Sequence, residues 1–122
     1  MNDRALRVLE YNKIIDKLCE NTLSPMGREI ARNLKPSSNV REAKAMQEET
    51  SEAVSLLLRK GTVPLEGLRD IRGGLKKASI DSTLDPGELL KINDHLRCAR
   101  RIKAFMAEDS VENYPILKDL IE

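Results

Sequence analysis

The residues Asp85-Pro86-Gly87-Glu88 form the strongest helix-start signal in this chain of 122 residues. An aspartate at the N-cap, a proline at the first helical position and an acid at the third all suit the free amide groups of a first turn. Apolar residues follow at helical spacing as far as residue 107, which predicts a long amphipathic helix. Because a helix of this kind is stable only when its apolar side is covered, the signal constrains the whole fold.

Similar signals predict four other helices. Asp3 is the expected cap of a helix over residues 4–20, with Leu6, Leu9, Ile15 and Leu18 turned inward. Ser24-Pro25 opens a helix over 25–34, Asn39 with Glu42 opens one over 40–60 that ends at Gly61, and a short helix covers 70–78. The turn at 35–39 and the loop at 62–69 separate them, and we expect Val63, Leu65 and Leu68 to hold that loop against the helices.

The stretch 40–60 carries a narrow apolar seam at spacings of three and four residues: Ala43, Met46, Thr50, Ala53 and Leu57. The stretch 86–107 carries a comparable seam: Leu89, Ile92, Leu96, Ala99 and Met106. Seams of this spacing are typical of helices that pack lengthwise, so we expect these two helices to pack on each other. If Leu57 and Leu96 lie in that core, replacing either by alanine costs roughly 2–5 kcal/mol.

Residues 113–122 resemble the start of a sixth helix. Asn113 is the expected cap, Pro115 suits the first turn, and Ile116, Leu117, Leu120 and Ile121 form an apolar stripe. This stripe needs something to pack on, and Glu122 is an anion at the negative end of the helix dipole. We therefore expect residues 1–122 to be one helical domain, an N-terminal piece of a longer protein in which this helix continues.

Composition predicts an all-α protein, a compact bundle of about five helices plus the start of a sixth. Charged residues make up 34 % and aromatic residues 2 %, a balance found in exposed helices and too poor in β-formers for a sheet. Cys19 and Cys98 lack metal-ligand spacing and are interpreted as small core residues, and the single histidine, His95, as a packing or surface residue. No leader or membrane-length apolar run is present, so a cytoplasmic protein without a membrane partner is expected.

No residues here combine into a plausible catalytic, cofactor or metal site, so we expect this segment not to be an enzyme. The glycines at 73–74 lack phosphate-loop spacing and are interpreted as sites of close helix approach or of a bend in the backbone. The net charge of +1 leaves only local patches for nucleic acid. Two basic clusters are candidates for such contact, although a solvated helix face explains either of them as well. The first basic cluster is Arg69, Arg72, Lys76 and Lys77, and the second basic cluster is Arg97, Arg100, Arg101 and Lys103.

Several short motifs occur in an order that resembles the start of the second bacterial MutS family, the recombination-suppressing paralogue of the mismatch-repair ATPase. They are ALRVLEYNKI at 5–14, SPMGRE at 24–29 with LKP at 34–36, ETSEA at 49–53, PLEGLRDI at 64–71 and LDPGELL at 84–90. Together they cover essentially the whole chain.

The resemblance implies the first part of a helical core that connects an ABC-type ATPase, which uses ATP and Mg²⁺, to lever and clamp domains. In the longer protein, a homodimer, it implies a nuclease domain, binding of branched DNA, suppression of homologous recombination and action on collided ribosomes. The ATPase and nuclease motifs lie outside residues 1–122. Two alternatives remain: a standalone nucleic-acid-binding module that uses the second basic cluster, and a protein-interaction module whose partner covers 116–121.

Overall fold

A computed structural model describes residues 2–108 and 113–121, and within these residues it contains seven helices and no strand. The helices are α1 (Asp3–Val8), α2 (Tyr11–Glu20), α3 (Pro25–Arg32), α4 (Val40–Lys60), α5 (Arg72–Ser79), α6 (Pro86–Ala107) and α7 (Pro115–Ile121). The predicted all-α class is confirmed. None of the described helices is both long and apolar enough to span a bilayer.

The two longest helices begin and end where the sequence predicts. At the start of α6, the Asp85 carboxylate accepts the Glu88 amide at 2.9 Å, and the Glu88 carboxylate accepts the Asp85 amide at 3.1 Å. Asn39 caps α4, but Glu42 does not complete a capping box, because its carboxylate accepts a hydrogen bond from Ser37 at 2.7 Å. Gly61 ends α4 at a φ of +77°, a backbone conformation that glycine adopts without strain.

The predicted helix over residues 4–20 is wrong, because the structure divides it into α1 and α2. The break is at Glu10, which takes a left-handed φ of 54° and therefore turns the chain between Val8 and Tyr11. Asn2, not Asp3, caps α1, since its side-chain oxygen accepts the Ala5 amide at 2.8 Å.

The break also changes which side of α2 is buried. Ile15 lies inward as predicted, but Leu9 and Leu18 are exposed. A first core is formed instead by Ile15, Cys19 and Ala31, with Tyr11 packed against it. The Tyr11 hydroxyl donates to the Leu34 carbonyl at 2.7 Å, which fixes the chain after α3 to the start of α2.

A second core joins α4, α6 and α7. It contains Leu56, Met106 and Tyr114, which are 4 %, 3 % and 1 % exposed. Val63, Ile102, Phe105, Leu117 and Ile121 pack around it. At one edge Lys60 contacts the Phe105 ring, donates to the Phe105 carbonyl and pairs with Glu108 at 3.2 Å. This basic residue therefore ties the end of α4 to the end of α6.

The start of α7 is capped from another helix. The Glu52 carboxylate of α4 accepts the Ile116 and Leu117 amides, both at 3.0 Å. A carboxylate here satisfies free amides and meets the positive end of the helix dipole. The predicted cap Asn113 is wrong, because α7 begins at Pro115 and Asn113 stands one residue too early. Of the predicted stripe, Ile116, Leu117 and Ile121 are partly buried, whereas Leu120 is 71 % exposed.

The predicted lengthwise packing of α4 on α6 is wrong. Among the described helices, α4 packs on α7, and α6 packs on α5 and α7. Leu57 and Leu96 are therefore 51 % and 57 % exposed. The seam of α4 turns away from the second core, because Leu56, which enters that core, lies about 100° around the helix from Leu57.

The chain exposes an unusually large surface for its size. Its accessible surface is 9588 Å² at a mass of 13.8 kDa, where a compact monomer of that mass exposes about 6600 Å². No described helix of the α1–α3 group packs on a helix of the α4–α7 group. Apolar side chains such as Ile30, Leu58 and Leu90 remain mostly exposed between and around the two groups.

Candidate nucleic-acid interface

The loop between α4 and α5 lies along one face of α6, where three hydrogen bonds hold it. The Cys98 thiol donates to the Pro64 carbonyl at 3.4 Å, and the Arg101 guanidinium donates to the Glu66 carbonyl at 2.8 Å. The Arg69 amide donates to Nδ1 of His95 at 3.3 Å. The three α6 residues lie three positions apart and so share one side of the helix. Val63, Leu65 and Leu68 are partly buried in this loop, which confirms their predicted role.

The structure shows that His95 and Arg101 both contact this loop, which the sequence did not predict. His95 is half-buried and accepts a backbone amide, in agreement with a packing residue. Arg101 belongs to the predicted second basic cluster, yet its guanidinium already holds the loop, and one of its nitrogens lies 3.3 Å from where a Cβ on Gly67 would stand. Gly67 has a φ of +100°, so both its conformation and its lack of a side chain suit this contact.

The other three basic residues of the second basic cluster lie on the opposite, outer side of α6. Arg97, Arg100 and Lys103 are exposed, and no residue that the structure describes forms an ion pair with them. We call them the α6 basic face. Free cations spaced three residues apart on one helix can approach successive phosphates of a nucleic acid, each contact adding a salt-dependent increment of affinity.

The first basic cluster is largely engaged in ion pairs. The Arg72 guanidinium lies 2.8 Å from the Asp70 carboxylate and 2.9 Å from that of Glu29 on α3. Hydrogen bonds from Arg72 lower the pKa of Asp70 to about 2, and those to Asp70 and Glu29 raise the pKa of Arg72. The Glu29 pair connects α3 to the start of α5.

Lys77 is likewise committed to a partner. Its ammonium lies 2.5 Å from the Glu88 carboxylate at the start of α6; this contact raises the pKa of Lys77 and lowers that of Glu88. The side chains of Arg69 and Lys76 are exposed, and no described residue pairs with either of them. Of the eight predicted basic side chains, five therefore have no partner among the described residues, and three hold other parts of the structure: Arg72, Lys77 and Arg101.

The other residues that were candidates for binding or catalysis serve packing in this fold. Cys19 and Cys98 are buried, as predicted for small core residues. Gly74 lies against Ile92, whose Cδ1 would stand 3.3 Å from an added Cβ, which confirms close approach of α5 to α6. Within residues 2–108 and 113–121, no group of three or more His, Cys, Asp or Glu side chains could hold a metal ion.

Sequence reasoning missed two of the carboxylates that organise long-range contacts, Glu52 and Glu29. Both carry the helical spacing of ordinary surface acids, and no local pattern distinguishes them from their neighbours. Their partners are 64 and 43 residues away along the chain, so only the fold brings the groups together.

Proteins named Endonuclease MutS2 resemble this chain over nearly its whole length, although no protein-family model matches it. The protein from Alkaliphilus oremlandii is 47 % identical over 121 residues, which are 98 % of this chain and 15 % of that relative. The one from Clostridioides difficile is 47 % identical over 122 residues, again 98 % and 15 %. The Bacillus cereus protein is 45 % identical over 113 residues, 93 % of this chain and 14 % of its own.

The chain thus spans about 15 % of the length of the curated relatives it matches. The region of similarity covers 98 % of this chain and therefore extends well beyond any one of the motifs that gave the family resemblance. These residues belong to the MutS2 family, as a segment of its much longer proteins.

Proposed function

We propose that this chain is a non-catalytic part of the helical core of a MutS-like ATPase that binds branched DNA. The observation that carries the proposal is the identity with MutS2 proteins, joined to about 3000 Å² of surface beyond that of a compact monomer. A segment that acts alone gains nothing from exposed apolar side chains, whereas a core segment has them covered by the rest of its chain.

In this proposal the segment transmits movement. ATP, with Mg²⁺, binds elsewhere in a homodimeric cytoplasmic protein, and rearrangement of the ATPase domains moves the levers and clamp through the core. Two features here suit a rigid connector. The cap from Glu52 to α7 and the contacts of Lys60 join three helices around the second core. Suppression of recombination, cleavage by the nuclease domain and action on collided ribosomes would be outputs of the whole protein.

The test uses full-length MutS2 carrying Leu56→Ala, which opens a gap in the second core, and Leu58→Ala as a control at a position that is 82 % exposed. ATP hydrolysis is measured with and without branched DNA, and melting verifies that both proteins fold. We expect Leu56→Ala to keep basal hydrolysis within about twofold while its response to DNA falls at least about fivefold. An unchanged DNA response would overturn the transmitting role, and so would a loss of basal hydrolysis as large as the loss of the DNA response.

The second candidate is direct contact with nucleic acid, as in the standalone module, and it is favoured by the exposed α6 basic face. A pair of substitutions, Arg97→Glu with Arg100→Glu, is compared with the charge-matched pair Lys44→Glu and Arg59→Glu on α4. If the α6 basic face contacts phosphates, only the first pair weakens binding, and it lowers the slope of log Kd against log salt by about two. Equal effects of the two pairs would assign the binding to net charge.

A further inference from the structure

Among residues 2–108 and 113–121, no helix packs lengthwise along the seam of α4, although the spacing of the seam is that of a packed helix. Of the seam residues, Leu57 is 51 % exposed and Thr50 is exposed as well, and the neighbouring Val54 is 50 % exposed. The Thr50 hydroxyl donates to the Met46 carbonyl of its own helix at 3.1 Å, so its methyl group can face an apolar neighbour. Every seam position from Ala43 to Leu57 is thus apolar or internally satisfied.

The seam continues into a groove between α3 and α4. This groove has a volume of ≈ 710 Å³, and its apolar lining is Met46 of α4 with Met26, Ile30 and Leu34. Its polar rim consists of Glu29, Asn33, Lys35, Glu42 and Arg72. Ile30, on the α3 wall, is 72 % exposed. A polypeptide segment that packs along α4 would therefore cover apolar side chains of both the α1–α3 group and the α4–α7 group. Within the described residues, the helices of these two groups do not pack on each other.

We propose that a helix from the part of the MutS2 chain outside residues 1–122 packs lengthwise along this seam and into the α3–α4 groove. The inference rests on the proposed function and names the surface through which the segment joins its parent. Spacings of three and four residues select a helix running nearly parallel or antiparallel to α4. The remainder of a MutS2 protein is long enough to provide this helix, because about 85 % of the relatives' length lies outside the region of similarity.

The side chains of the seam define the chemistry of that helix. Ala43, Thr50 and Ala53 are small, so large aliphatic side chains from the partner are needed to fill the layer. Glu42 and Glu49 lie seven residues apart beside the seam, and both are exposed. The partner helix should therefore present large apolar residues bordered by lysine or arginine.

A second copy of α4 is a poorer occupant. It would place small side chains against small ones and leave the layer underfilled, and in the antiparallel arrangement it would bring the flanking glutamates together. The α6 of the same chain is not available either, because its inner face already holds the loop at His95 and Cys98.

The first experiment measures thiol labelling in the full-length protein. Thr50→Cys lies on the seam, and Ser55→Cys is the control, an exposed position on the other side of the same helix. The labelling rate of each cysteine is followed on its own peptide by mass spectrometry, so other thiols do not interfere. We expect labelling at position 50 to be at least tenfold slower than at position 55, and equal rates would overturn the proposal.

The second experiment identifies the occupant. A photo-crosslinking phenylalanine analogue replaces Thr50 in a mixture of ¹⁴N- and ¹⁵N-labelled full-length protein. The proposal requires crosslinks to a peptide outside residues 1–122 that carries the same isotope label. Mixed-label crosslinks would assign the seam to a second copy, and crosslinks to nucleic acid or to another protein would equally overturn it. Neither experiment uses ATP or DNA, so an unprotected seam together with an impaired DNA response in Leu56→Ala would reject this inference and leave the proposed function standing.

Discussion

Two adjacent leucines of α4 provide a sharp test of how this helix is oriented. Leu56 is 4 % exposed and packs with Met106 and Tyr114, whereas Leu57 is 51 % exposed on the seam. Replacing Leu56 by alanine removes buried methyl groups and leaves a cavity that three helices border, so the expected loss is roughly 2–5 kcal/mol. Replacing Leu57 by alanine leaves no closed cavity, and leucine and alanine have similar helix propensities. The loss of stability should therefore stay below about 1 kcal/mol.

The measurement is urea unfolding of the 122-residue chain, followed by circular dichroism at 222 nm. The two variants should share one m-value, because they expose nearly the same surface on unfolding. In thermal melts the Leu56→Ala midpoint should fall by about 10 °C or more. If Leu57→Ala costs as much as Leu56→Ala, then α4 is rotated relative to this structure and its seam is already buried within the chain.

Three other predictions follow from individual contacts. Glu52→Gln removes the charged acceptor at the start of α7 and should lower the free energy of unfolding by about 1–3 kcal/mol in the same urea assay. Glu48→Gln, on the same helix and without a partner among the described residues, should be nearly neutral. Equal losses in the two variants would exclude the cap. Arg72→Ala should return the pKa of Asp70 from about 2 toward its ordinary value, as read by NMR titration of the side-chain carbonyl carbon. Since the folded-state pKa is the lower one, this pair adds stability above the unfolded-state pKa of about 4 and loses it as the pH falls toward about 2, a loss that Arg72→Ala should abolish. A Cβ at Gly73 meets nothing within 4 Å, so Gly73→Ala should stabilise the chain by about 0.5–1 kcal/mol. Gly74→Ala should stabilise it less, because the new Cβ would stand 3.3 Å from Ile92. A larger rise in melting temperature for Gly74→Ala would contradict the close approach of α5 to α6.

Local sequence predicted most helix ends because caps are local interactions. Ser24 accepts the Gly27 amide at 3.0 Å, and Asp85 with Glu88 forms the full box, each within four residues of chain. The family resemblance was also contained in the sequence, since it depends on the order of motifs and not on packing. The break at Glu10 was missed because no glycine, proline or asparagine marks it, and the left-handed residue is a glutamate.

The basic candidates show the same division. The sequence located the cations, and the structure divided them. Arg72, Lys77 and Arg101 hold other elements, whereas the part of the chain that the structure describes offers no partner to Arg97, Arg100 and Lys103. A lysine or arginine has the same local pattern in both cases. Its role depends on whether a carboxylate or carbonyl group from another element lies within reach.

By itself the sequence determined that the chain is helical, where its long helices begin and end, and which family it belongs to. Only the tertiary structure decided that α4 packs on α7 and leaves its most regular apolar seam uncovered, and that Glu52 caps a helix more than 60 residues away. The physical reason is that periodicity identifies an apolar face without identifying its partner. The partner depends on which surfaces several helices can bury at the same time, and that is a property of the whole chain.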